Sequence, residues 1–215
     1  MKKTRRRFPL MATIVLLCLG SGVLAGQEEG LYGSGAPDDA AFVRLVNAGA
    51  DGEVSTSIGG TELGPVPTGD ASPYRPVAAG LYTVRAEGRT AELIAEDAAY
   101  YTVAITSDSL LVFEDPEHTD PAEAQLFLYN LSSRPALRLV ATERDTDITE
   151  ELAAGESTQV TVTPVAVQLG LYSEATELEA LGDPGLERGE SYSVFAFDRD
   201  ERIGAFVKQA QVVTE

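Results

Sequence analysis

"FVRLVN", residues 42–47, returns as "LFLYN" at 126–130, and each copy ends on an asparagine. Two further pairs keep the same order. "VAAGLYTVRA" (77–86) matches "AVQLGLYSEA" (166–175), and "YYTVAI" (100–105) matches "SYSVFAF" (191–197). Asn47 and Asn130 are 83 residues apart, Tyr82 and Tyr172 are 90 apart, and Tyr101 and Tyr192 are 91 apart. Three motifs at so nearly constant an offset point to a duplicated unit, about 85–90 residues long.

The local pattern says what each unit is made of. Runs rich in Val, Thr, Tyr, Ile and Phe are broken by Gly, Pro, Asp and Ser every ~8–12 residues, the pattern of an all-β sandwich or barrel. Few apolar runs carry helical spacing. In the first half, strands are expected over 42–47, 53–58, 74–77, 81–86, 89–94, 100–105 and 110–114. Val54, Thr56 and Ile58 alternate with Glu53, Ser55 and Ser57, which places each set on one face of a strand. Gly59-Gly60 and Glu87-Gly88 are two-residue turn candidates. A Leu-Tyr pair after Gly, at 80–82 and 170–172, is expected to start an inner strand with one side chain inward and the other at the surface. The stretch "EDPEHTDPAE" (114–123), with two prolines and five acids, reads as a linker. The expected fold is therefore all-β, two tandem β-sandwich domains: a signal peptide at 1–25, a first sandwich at 26–115, a linker at 116–123 and a second sandwich at 124–215.

The leader and the charge balance bound the function. Lys2, Lys3, Arg5, Arg6 and Arg7 precede the apolar run "FPLMATIVLLCLG", and Val23-Leu24-Ala25 supplies small residues for a cut after Ala25. An exported protein is expected, with an uncleaved anchor as the alternative. "TRRRF" at 4–8 shares part of a twin-arginine export signal, but Pro9 and Leu10 depart from it, so the export route stays open. The one cysteine, Cys18, lies inside the leader, so the mature fold is expected to have no disulfide and to rest on core burial alone. Beyond Ala25, 11 basic residues face 34 acids, a formal charge of −23. That balance argues against a nucleic-acid partner, which needs a cationic face. It leaves two readings: a solvated acidic surface suited to a salty habitat, or a docking face for a basic partner.

The search for catalytic chemistry finds little. His118 is the only histidine, which excludes multi-histidine metal sites. Ser72, His118 and Asp115 could in principle supply nucleophile, base and orienting acid. The pair sits in a proline-rich linker, however, and an all-β tandem lacks the strand-to-helix turn that usually presents such a serine. The acid clusters at 144–151 and 197–201 could hold calcium, but neither has a glycine-centred loop, and both fall where hairpin tips are expected. No catalytic residue, metal or cofactor is assigned, and a binding or adaptor protein is the natural class.

One family shares these landmarks. Leu31-Tyr32-Gly33, Ala36-Pro37 and Phe42–Asn47 after a secretory leader, followed by "GLYTV" (80–84), "YYTV" (100–103), "YNLS" (129–132), "LGLY" (169–172) and "LERGE" (186–190), resemble the alginate O-acetyltransferase AlgF family of exported bacterial proteins. The resemblance spans most of the chain beyond the leader. It implies a non-catalytic periplasmic adaptor of an exopolysaccharide O-acetylation complex, built of two sandwiches. The resemblance implies that such an adaptor binds the separate enzyme that carries a Ser-His-Asp site, with engagement of the polymer as a further role. It also implies that the opening stretch contacts a partner, with Tyr32, Arg44 and Asn47 as candidates; for Arg44 the alternative is an ordinary arginine on a sheet surface. The rival function is a carbohydrate-binding or cell-surface sandwich module unrelated to acetylation, which the lack of Trp weakens and the eight Tyr keep open.

Overall fold

Alternation along the chain becomes sheet in the computed structural model, which describes residues 39–213. The leader, Tyr32 and the motifs around it lie outside the described residues. The first half forms β1 (Ala40–Asn47), β2 (Glu53–Ile58), β3 (Thr61–Pro67), β4 (Asp70–Ala71), β5 (Arg75–Ala78), β6 (Gly80–Ala86), β7 (Arg89–Ala95), β8 (Tyr100–Ile105) and β9 (Leu110–Asp115). The second half forms β10 (Ala124–Leu131), β11 (Arg138–Ala141), a 3-10 turn at Thr142–Arg144, β12 (Thr146–Asp147), β13 (Ser157–Val162), β14 (Leu169–Ser173), β15 (Thr176–Gly182), β16 (Ser191–Arg199) and β17 (Arg202–Gln209). No α-helix occurs among the described residues.

The duplication is visible in the pairing. In each half the first strand runs parallel to a late one, β1 with β8 and β10 with β16, and that late strand pairs antiparallel with the last, β9 or β17. The register repeats as well: Val43 lies opposite Tyr101, and Leu126 opposite Tyr192. Both tyrosine hydroxyls accept a backbone N–H five residues upstream, from Glu96 and Glu187, each at 3.1 Å. β4 and β5 share the other edge of β1, where β13 alone flanks β10. The facing layer is two hairpins in the first half, β2–β3 and β6–β7, and one sheet in the second, β12–β11–β14–β15.

Each pair of layers closes on an apolar core. Val54, Thr56 and Ile58 turn inward as period two requires, joining Val43, Leu45, Val84, Leu93 and Val103 in the first sandwich. Leu126, Leu128, Leu139, Leu169, Leu171 and Val194 fill the second. The turns Gly59-Gly60 and Glu87-Gly88 both place two successive residues at positive φ, the conformation that lets a two-residue loop follow the twist of its strands.

Three features depart from the sequence pattern. β3 was not among the expected strands, because Gly64, Pro65 and Pro67 read as breakers. It is tolerated because β3 pairs only with β2, so the missing donors interrupt no central ladder. Gly64 also packs where a Cβ would stand 2.6 Å from the Val54 carbonyl oxygen, so no larger residue fits there. Second, the Gly-Leu-Tyr strands lie in the outer layers, and the two copies face opposite ways. Leu81 is 71% exposed while Tyr82 packs on the first core, whereas Leu171 is fully buried in the second. A one-residue shift in a strand exchanges its faces, so shared letters do not guarantee a shared side. Third, Glu114 and Asp115 finish β9 and are not linker, and Asp115 is buried.

The two sandwiches stack. The outward faces of β1, β8 and β9 meet those of β10, β16 and β17 in a third cluster containing Val46, Ala104 and Phe113 from one side and Phe127, Tyr129 and Phe195 from the other. This is why every residue of β10 is buried: one face serves its own core and the other serves the seam. After β17 the chain returns to the first sandwich. The Tyr74 N–H donates to the Gln211 carbonyl at 2.8 Å, and the Val213 N–H to the Tyr74 carbonyl at 2.9 Å.

Candidate functional site

Along β1 the side chains that point away from the first core are Phe42, Arg44 and Val46. Position 44 therefore delivers a guanidinium into the seam, where it is 1% exposed. Such a charge is tolerable only if paired and hydrogen-bonded. Arg44 Nε donates to Thr102 Oγ1 at 2.8 Å, and Nη2 donates to Tyr129 Oη at 3.0 Å and Ser193 Oγ at 2.8 Å. Thr102 and Tyr129 then pass their own protons on to Asp115: Thr102 Oγ1 donates to Oδ2 at 2.5 Å, and Tyr129 Oη to Oδ1 at 2.6 Å. Tyr74 Oη donates to Oδ2 at 2.7 Å. The direct distance from Arg44 Nη2 to Asp115 Oδ2 is 3.8 Å. The ion pair is thus relayed through two hydroxyls, each accepting from the cation and donating to the carboxylate.

Five strands hold the network together across the seam. Arg44 stands on β1, Thr102 on β8 and Asp115 at the end of β9, while Tyr129 on β10 and Ser193 on β16 come from the second sandwich. Aromatic rings complete the cage. The Arg44 guanidinium carbon lies 4.5 Å from the Tyr74 ring centre and 5.0 Å from that of Phe195. Tyr129 stacks on Phe195 at 4.7 Å and meets Phe113 edge-on at 5.4 Å. No buried side-chain polar atom among the described residues lacks a partner. A second cross-seam pair, Lys208 to Asp70 at 2.7 Å, is partly exposed and contributes little by comparison.

The electrostatics follow from burial. Burial by itself pulls the Arg44 pKa down, but the oxygens of Tyr129, Tyr74 and Asp115 outweigh it and leave the pKa raised. Burial pushes the Tyr74 and Tyr129 hydroxyls well up; Arg44 opposes that shift and Asp115 adds to it. Both phenols are neutral donors at neutral pH.

Beside this network the seam opens into a cleft of about 200 Å³. Tyr74, Tyr100 and Phe127 supply its aromatic wall, Asp115 its floor, and Glu117, His118 and Glu190 its polar side. No Lys or Arg lines it.

The residues singled out in the sequence fall as follows. Tyr32 lies outside the described residues. Arg44 is a buried residue of the seam and not a sheet-surface arginine, so its guanidinium is spent inside the molecule. Asn47 is fully buried at the end of β1. Its Nδ2 donates to the carbonyls of Gly52 and Val66 at 3.0 and 3.2 Å, and its Oδ1 accepts the Ala50 N–H at 3.0 Å. Asn130 does the same at the end of β10, donating to the Arg134 and Leu152 carbonyls at 2.9 and 3.1 Å. The paired asparagines are loop clamps, and neither Arg44 nor Asn47 offers its polar atoms to an outside surface.

Ser72, His118 and Asp115 do not assemble. Ser72 Oγ accepts the Leu45 N–H and donates to the Pro73 carbonyl, each at 2.9 Å. His118 Nε2 sits 3.0 Å from the Glu123 carbonyl. Asp115 is held by the two tyrosines and Thr102. The seam partners Tyr74, Thr102, Tyr129 and Ser193 were not singled out in the sequence. The available signal was a single arginine inside an otherwise apolar strand. The acid clusters at 144–151 and 197–201 form no metal-holding group among the described residues.

Comparison with known proteins adds the family. A family model described as Alginate O-acetyl transferase AlgF matches residues 14–193. The Alginate biosynthesis protein AlgF of Pseudomonas putida KT2440 is 30% identical over 168 residues, covering 78% of this chain and 77% of its own. That of Pseudomonas aeruginosa PAO1 is 28% identical over 193 residues, 88% of each chain. That of Azotobacter vinelandii is 28% identical over 172 residues, 80% of this chain and 78% of its own. A solved structure of the C-terminal domain of AlgF from P. aeruginosa aligns at a TM-score of 0.38 and 20% identity, covering 41% of this chain and 98% of that one.

Removing either charge of the seam strands the other. Arg44→Met and Asp115→Leu are each expected to cost about 3–5 kcal/mol in urea unfolding, and the double variant less than the sum by at least about 1 kcal/mol. Strict additivity would show that the two charges do not interact. A pH series reads the phenols. Free tyrosine ionises near pH 10, and the folded values of Tyr74 and Tyr129 lie above that. Above about pH 10 the unfolded chain therefore releases protons that the folded one keeps, and unfolding gains. The urea midpoint should show no loss from these phenols between pH 7 and 9 and should fall progressively above 10, with a shallower fall in Tyr129→Phe.

Proposed function

This chain belongs to the AlgF family, and from that premise we propose that it is a non-catalytic periplasmic adaptor of an alginate-type exopolysaccharide O-acetylation complex. On this reading the leader exports it with a cut near Ala25, and its folded part binds the periplasmic acetyltransferase that performs the transfer. The observation that supports a non-catalytic role is the occupation of the candidate triad. The Ser72 hydroxyl is tied to backbone on both sides of itself, His118 faces a backbone carbonyl, and Asp115 belongs to the buried seam. A nucleophile and its base must share a hydrogen bond or a water to work together, and this geometry gives them separate partners.

The stacked architecture suits an adaptor. Two sandwiches joined through a polar network and an aromatic cluster present fixed surfaces to other proteins, with no step that requires the seam to open. Direct capture of the polymer is the weaker reading. Alginate is a polyuronate, and a chain with 34 acids against 16 bases repels an extended polyanion.

The test is genetic. In-frame deletion should abolish O-acetylation of the exopolysaccharide while polymer is still secreted. Complementation with the wild type, Ser72→Ala or His118→Ala should restore acetyl content equally. Acetylation unchanged by the deletion would refute a role in the complex. Loss of acetyl in either point variant, with the protein folded and exported, would refute the non-catalytic assignment.

A further inference from the structure

The cleft beside the seam carries a charge arrangement that no cation among the described residues answers. Glu117 accepts no hydrogen bond and pairs with no cation among the described residues, although its charge is near enough to Tyr100 to push that phenol's pKa up, after burial. Among the described residues the Glu190 carboxylate accepts one neutral hydrogen bond, from Gln209 Nε2 at 3.1 Å, and has no ion pair. The same cleft is lined by Tyr74 and Tyr100, packed edge to face at 5.3 Å, with Tyr100 backed by Phe42 at 4.9 Å. The aromatic wall is therefore fixed in place. The space, about 200 Å³, falls below the roughly 300–1,000 Å³ of small-molecule pockets. It suits one long side chain and is too small for a run of sugar rings.

We propose that this cleft is the receptor for an arginine side chain on a basic segment of the partner protein. A guanidinium is the group that lies flat against a tyrosine ring while giving paired N–H donors to a carboxylate. The molecule already sets a guanidinium over the same tyrosine in the seam, where Arg44 lies 4.5 Å from the Tyr74 ring centre and 3.8 Å from Asp115, to which two hydroxyls relay it. Charge complementarity favours the same occupant at longer range: a strongly acidic chain draws a basic segment in and holds off acidic ones. The identity of the partner as the acetyltransferase rests on the adaptor reading; the chemistry of the cleft does not.

The experiment titrates the purified, isotope-labelled protein with N-acetyl-arginine methylamide and follows its amide resonances. Saturable shifts confined to Tyr74, Tyr100, Glu117, His118 and Ser191 are expected, with an affinity on the order of millimolar for so small a probe. The citrulline analogue, which keeps the shape and loses the charge, should produce none. The lysine analogue should bind several-fold more weakly. The double variant Glu117→Gln/Glu190→Gln should weaken arginine binding about tenfold with its unfolding midpoint unchanged. Shifts spread over the whole acidic surface, equal shifts with citrulline or lysine, or binding indifferent to the double variant would each overturn the proposal. The titration involves only the protein and the probe, so its failure would leave the adaptor reading standing. A deletion that spared acetylation would likewise leave a positive titration intact.

Discussion

A guanidinium buried between two sheets is the constraint on which the rest of this structure depends. Arg44 cannot be satisfied by the first sandwich alone: Thr102 takes one of its donors, but the other two recorded bonds go to Tyr129 and Ser193 on the second. Nor can Asp115, whose three hydroxyl donors include Tyr129. Pulling the sandwiches apart would cost Arg44 two of its three hydrogen-bond partners and Asp115 one of its three. The aromatic cluster around them excludes water and so raises the cost of any incomplete arrangement. The pair need not add net stability over an apolar seam of the same shape. It does dictate which face of which sheet meets its neighbour, because only one stacking places Tyr129 and Ser193 against Arg44.

Much of each sandwich is legible in the sequence, and the seam is not. Alternation in Glu53–Ile58, the Gly59-Gly60 and Glu87-Gly88 turns, and the repeated spacing of Asn47 and Asn130 are local signals, and local signals survive in a linear chain. β3 is hidden because its Gly and Pro residues carry the opposite propensity, which an edge position overrides. The faces of Leu81 and Leu171 are hidden because a one-residue shift in register leaves the letters unchanged. The lock is hidden for a deeper reason. Arg44, Asp115 and Ser193 are far apart in sequence, and each taken alone reads as a solvated side chain. Asp115 in particular follows Glu114 and precedes Pro116 in what reads as a charged linker, yet it is 4% exposed. Only the uninterrupted apolar character of 126–129 hinted that β10 is covered on both sides.

The same division runs through function. The repeated landmarks within the described residues are structural: Asn47 and Asn130 clamp loops, and Tyr101 and Tyr192 accept backbone N–H groups. These landmarks build a scaffold. The features proposed to meet a partner lie elsewhere, in the acidic surface and in the cleft lined by Tyr100, Glu117 and Glu190. A rigid seam matters to both, since it keeps that cleft at one width between residues drawn from the two sandwiches.

The central claim is that the two sandwiches form one body, and backbone nitrogen relaxation tests it most directly. Amides of β1, β8 and β9 and those of β10, β16 and β17 should report a single overall tumbling time, that of a particle the size of the whole folded part. Two distinct and shorter tumbling times, one for each sandwich, would contradict it: the buried pair would then not hold the seam closed in solution.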